Sequence, residues 1–253
     1  MSGGKPEFYI GYAEHAPASS RPFLRGVVVT LVVLFAGLGA WIVSDLPSYG
    51  PGVFEYLELR EFTGVLREAP VPHLEVSRGG TPVSGIPDVS RYLLVDLGKS
   101  GAAARVAGGD GRTVRLTGTL VYSDGHTMIE LSEDEPEWLT EGAGAARTPV
   151  SLGRLSLTGE IVDSKCFLGV MKPGRLGTHK ACATRCIAGG IPPILIVQDA
   201  DRLVQLVLVG ADGEPVNDAV LELIAEPVRV TGEVERHGDL LVLRADPETI
   251  ERL

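Results

Sequence analysis

Val114-Arg115-Leu116-Thr117-Gly118 recurs as Val228-Arg229-Val230-Thr231-Gly232. Each string is followed by a run of alternating apolar and polar residues and then a turn, Ser123-Asp124-Gly125 in the first and Arg236-His237-Gly238 in the second. An earlier pair, Phe62-Thr63-Gly64 and Leu157-Thr158-Gly159, opens each copy. Self-similarity of this kind marks one supersecondary unit used twice.

The copies differ in length at one place. Gly64 and Gly118 are 54 positions apart, Gly159 and Gly232 are 73 apart. The middle strands, Tyr92-Leu93-Leu94-Val95 and Gln205-Leu206-Val207-Leu208-Val209, stand 26 and 27 positions before the later glycine, so the extra residues fall between Gly159 and Gln205. All three cysteines lie in that window.

Short β-rich runs with glycine at bends and D-G or H-G turns point to small closed barrels. Three strands, a loop with room for a helix, and two more strands in about 90 residues match the OB-fold plan. The chain is therefore expected to be mainly β: one N-terminal transmembrane helix, then two tandem OB-like barrels, the second with a short Cys/His helical insertion. The expected divisions are 1–25, 26–44, 45–156 and 157–253. Residues 215–226 are a candidate for the helix of the second barrel. A pair of β-sandwiches is the alternative, because periodicity alone does not separate sandwich from barrel.

Residues 26–43 read GVVVTLVVLFAGLGAWIV, without a charge. At 1.5 Å per residue they cover about 27 Å, close to the ~30 Å hydrocarbon layer of a bilayer. Lys5, Arg21 and Arg25 precede this run, and after Asp45 no basic residue appears until Arg60. That asymmetry keeps the N-terminus in the cytoplasm and exports the rest. A cleavable signal peptide would have a shorter start and a small residue three places before its cut, where Leu38-Gly39-Ala40 offers leucine. Residues 1–45 carry three basic and three acidic side chains, so the whole net charge of −10 lies beyond them. Such a domain repels phosphate backbones, which excludes nucleic acid as a partner. The leader stretch Phe8-Tyr9-Ile10-Gly11-Tyr12 is either a docking segment for a neighbouring membrane subunit or an unstructured tail.

Three cysteines are too few for a disulfide framework. Thr178 can cap a helix that Gly189-Gly190 and Pro192-Pro193 stop, and on it His179, Cys182 and Cys186 follow at +3 and +4, on one stripe. Cys166 arrives from the preceding strand as a fourth soft donor. A Cys3His set suits structural zinc or a copper site. Two other readings stay open: a disulfide from Cys166 to Cys182 or Cys186 with one spare thiol, or inert packing of three small residues.

The segment Thr158-Gly159-Glu160-Ile161-Val162-Asp163, Cys166, His179-Lys180-Ala181-Cys182, Cys186-Ile187 and the closing Val228–Gly232 string resembles a bacterial family of exported, uncharacterised OB-like domains. The resemblance covers residues 157–253 and implies the barrel and a pairing of Cys166 with the helix; it implies no activity.

Of the remaining candidates, Asp163 reads as a solvent-facing strand residue, with orientation of His179 as its other role. Met171 is a possible soft ligand or a packing residue. His73, His126 and His237 stand alone, the last two in what read as exposed turns. No G-x-S-x-G, P-loop, HExxH or CxxCH motif occurs. The expected role is a non-catalytic, membrane-anchored accessory subunit of an envelope redox or metal-handling complex, its partners being the lipid bilayer and other subunits. Rival roles are a thiol enzyme using Cys182 or Cys186 with His179 as base, and an envelope haem or metal chaperone, although no haem-attaching histidine is evident at a C-terminal strand end.

Overall fold

A computed structural model describes residues 16–45, 52–79, 88–140, 148–200 and 202–253. The leader residues Phe8 to Tyr12, and the docking role considered for them, lie outside the described residues. Residues 1–48 and 49–253 form separate units.

In the first unit, helix α1 (Arg21–Asp45) starts five residues before the expected position. Pro22 fits the first turn, where a missing N–H costs nothing. The stretch Arg21–Ser44 is long and apolar enough to cross a membrane, and it would equally serve as a signal sequence. No part of this stretch is buried, and Phe23, Phe35 and Trp41 are exposed along it.

The second unit is mainly β, with strands taking 43% of the chain. Its elements are β1 (Val53–Phe54), β2 (Arg60–Arg67), β3 (His73–Ser77), β4 (Val89–Val95), α2 (Ala103–Val106), β5 (Thr113–Ser123), β6 (His126–Leu131), β7 (Glu137–Thr140) and β8 (Val150–Asp163). They continue with α3 (Lys180–Ala188), β9 (Pro193–Asp199), β10 (Arg202–Val209), β11 (Pro227–His237), β12 (Leu240–Arg244) and β13 (Glu251–Arg252). Strands β2-β3-β4-β6-β5 close on β2 to form one five-stranded barrel; β8-β9-β10-β12-β11 close on β8 to form another. In each barrel the third and fifth strands pair in parallel, β4 with β6 and β10 with β12. Closed barrels replace the sandwich alternative.

The repeat holds at the level of register. Gly64 faces Val114 and Phe62 faces Leu116; in the second barrel Gly159 faces Val228 and Leu157 faces Val230. The glycines permit close strand approach, since a Cβ on Gly64 would collide with the Glu75 carbonyl and one on Gly159 with that of Ile196. Asp124 and Gly125 both have positive φ, the two-residue turn that matches strand twist. Between third and fourth strands the first barrel places α2, whereas the second has a 3-10 turn, Asp218–Leu223, shorter than the helix expected over 215–226. The division expected at residue 156 falls inside β8, whose pairing with β11 already holds at Val150.

Three apolar cores explain the runs of consecutive apolar residues. Leu66, Leu74, Leu94 and Ile129 fill the first barrel; Ile161, Leu195, Leu206, Leu208 and Leu243 fill the second. A third core joins Leu93, Val95 and Met128 of the first to Ile194, Ile196, Val207, Val209 and Val242 of the second. Adjacent residues such as Leu93 and Leu94 therefore serve different cores, and these strands are buried on both faces, as unbroken apolar runs require. An apolar junction of this kind holds two barrels as one body.

Candidate metal centre

The insertion between β8 and β9 lies against this junction. After Asp163 the chain makes a tight helical turn, Cys166–Val170, then a loop, a 3-10 turn at Gly177–His179, and α3. Helix α3 is nine residues long; His179 rather than Thr178 holds the N-cap position, and Gly189 ends it. Its two i,i+4 pairs face different ways: Ala183 and Ile187 pack into the core of the second barrel, while Cys186 and Cys182 pack with the junction core. The cysteine stripe thus belongs to the core shared by the two barrels rather than to the interior of its own.

The expected donors fall into two trios that share Cys166, and Cys186 groups with Asp163 rather than with His179 and Cys182. Single ligand atoms of Cys166, His179 and Cys182 lie within 4.8 Å of one another, and so do those of Asp163, Cys166 and Cys186. Cys166, Cys186 and His179 are buried, Cys182 is half-buried, and all three cysteines are free thiols.

Asp163 corrects the reading of a solvent-facing strand residue. It is fully buried, its Oδ2 lies 2.9 Å from His179 Nε2, and its Oδ1 accepts the Cys166 backbone N–H at 2.8 Å. One carboxylate therefore fixes both the imidazole and the turn that carries Cys166. Both oxygens are engaged this way, and Asp163 is also a member of the second trio.

Lys99, from the loop after β4 in the first barrel, was not among the candidates. Its Nζ donates to Cys182 Sγ at 2.8 Å and to Cys186 Sγ at 3.6 Å. The hydrogen bond to Cys182 raises the Lys99 pKa, so the ammonium form is favoured. A hydrogen bond from Cys166 lowers the Cys186 thiol to about 7, assisted by Lys99 and opposed by burial, and the Cys166 thiol is pushed up. The hydrogen bond between the two thiols thus favours the thiolate on Cys186 and the protonated form on Cys166.

The remaining candidates lie elsewhere. Met171 is exposed. His73 is buried, bonded through Nδ1 to the Val71 carbonyl at 2.8 Å, and burial lowers its pKa to about 4. His126 and His237 are half-buried instead of exposed: burial lowers the pKa of His126, and His237 Nε2 contacts Glu235 at 2.9 Å. Comparison of the chain with protein-family models, curated proteins and solved structures finds no match.

Proposed function

We propose that this chain is a single-span, membrane-anchored envelope protein with two OB-like barrels, and that its Cys166, His179, Cys182 and Cys186 hold zinc or copper within a redox or metal-handling membrane complex. The observation that carries the metal reading is the Asp163–His179 contact. A buried carboxylate on the second ring nitrogen is the arrangement that fixes the tautomer of a metal-binding histidine. Three thiols beside it supply the soft donors that zinc and copper(I) favour. The metal would neutralise charge and tie the insertion to the barrel; the chain's own residues orient the donors and shield all but Cys182 from water.

The OB-like reading is supported by strand order, with the third and fifth strands parallel and a helical element between the third and fourth in both barrels. Membrane anchoring is supported by the unburied apolar length of α1 and by the basic residues before it.

Metal analysis of the purified full chain, paired with thiol counting, tests the centre. About one zinc or copper per chain, with thiols that react only after chelation, is the expected result; three reactive thiols and no metal would refute it. Reporter fusions at Gly4 and at the C-terminus should give opposite location signals, and identical signals would refute the single-span topology.

A thiol-redox role is the second reading, favoured by the Cys186 thiol lowered to about 7 by its hydrogen bond with Cys166. It predicts a metal-free chain that forms a Cys166–Cys186 disulfide on mild oxidation.

A further inference from the structure

We propose that Lys99 of the first barrel is a functional member of the metal centre in the second, donating hydrogen bonds to the Cys182 and Cys186 sulfurs and raising metal affinity by compensating the centre's negative charge. This inference rests on the metal reading given above.

The position of Lys99 is built by its surroundings. Lys165, next to Cys166 in sequence, places its Nζ 2.6 Å from Glu130 Oε1, 3.1 Å from the Asp96 carbonyl and 2.6 Å from the Gly98 carbonyl. An ammonium has three donors, and these acceptors use all of them. Glu130 also accepts the Gly98 N–H at 3.2 Å. On the other side of Lys99, the Gly101 N–H donates to the Gly189 carbonyl at 2.8 Å. A Cβ on Gly189 would collide with the Lys99 carbonyl, and one on Gly101 with the Gly190 carbonyl. The loop is held at Gly98 before Lys99 and at Gly101 after it, and the lysine side chain reaches the stripe of α3 that bears both sulfurs.

The charge balance gives this placement a purpose. Metal binding requires deprotonated thiols, so three cysteines and a neutral histidine contribute three negative charges. A divalent ion leaves one of them uncompensated, a monovalent ion two, and Asp163 behind His179 adds another. Net charge in a largely buried site is costly unless it is paired. Lys165 is committed to Glu130, whereas Lys99 is bonded to the sulfurs themselves. Lys99 is itself exposed, so replacing it leaves the apolar cores untouched.

The test is chelator competition for Zn2+, with Co2+ as a spectroscopic probe, on the full chain in detergent. Lys99→Met should weaken Zn2+ binding about tenfold, the low end for losing a group behind a metal's ligands, while Lys99→Arg stays within about threefold of wild type. The metal-free melting temperature should be the same in all three proteins. The deficit of the Met variant should shrink as salt is raised, because an exposed charge is screened. A Met variant that binds Zn2+ as tightly as wild type overturns the inference and leaves the centre standing. Equal losses in both variants with a lowered metal-free melting temperature also overturn it, because they assign Lys99 a purely structural role. A wild-type chain that takes up neither ion overturns the centre and the role of Lys99 together.

Discussion

Lys165 and Glu130 form a buried ion pair across the barrel junction, Nζ to Oε1 at 2.6 Å, while the next residue, Cys166, faces the thiol cluster. Both side chains of the pair are nearly inaccessible, at 3% and 9%. Replacing one partner of such a pair strands the other charge in the interior. Lys165→Met should cost about 3–5 kcal/mol in urea unfolding. The double variant Lys165→Met/Glu130→Leu should recover most of that loss. A single variant as stable as wild type would show that water reaches Glu130.

Asp163 satisfies two buried donors, and removing it tests both. Asp163→Ala should destabilise the metal-free chain by about 2–5 kcal/mol, since the Cys166 N–H and the imidazole lose their acceptor. Asp163→Asn should fold better, yet lower metal affinity about 10–100-fold by releasing the histidine orientation. Chelator competition on the Asn variant measures this.

His73 gives stability a pH dependence of known sign. Its folded pKa, about 4, lies below the ordinary value of 6.5. Between those values the unfolded chain binds the extra proton, so stability rises with pH across the window. The contribution is complete above about pH 6.5 and is lost as pH falls through about 4, for a total near 3 kcal/mol. Urea unfolding at a series of pH values should show this slope in wild type and a flatter one in His73→Gln.

Gly189→Ala should press a methyl group onto the Lys99 carbonyl. Overpacking against backbone costs about 1–3 kcal/mol, and the Lys99 loop must shift to relieve it. Reduced thermal stability together with weaker Zn2+ binding is the expected pair of results. Gly98→Ala, where no atom lies near the added Cβ but φ is positive, should cost stability by strain alone and separates the two effects.

Much of this was legible in the sequence for a simple reason: repeats, turns and helical stripes are local. The Val114 and Val228 strings lie in equivalent registers, the insertion falls between β8 and β9, and Cys166 meets the helix. Lys99 escaped notice because 83 positions separate it from Cys182 and nothing local marks it. Asp163 was misread because period-two alternation predicts one wet face, while the end of β8 is buried on both. The signal for a second buried face was present in Leu93-Leu94-Val95 and Ile194-Leu195-Ile196, runs too continuous for a barrel wall open to solvent on one side.

The duplicated register also separates two boundaries that usually coincide. A cut before Val150 falls at the joint between the copies, and a fragment from there to Leu253 inherits Cys166, His179, Cys182 and Cys186. It forfeits Lys99, the acceptors that hold Lys165, and the apolar partners of Val207 and Val242. The repeat is thus a unit of sequence, while the apolar core shared between the barrels ties the stability of each to the other. Truncation at the repeat boundary should yield a fragment with its ligands intact and its stability broken.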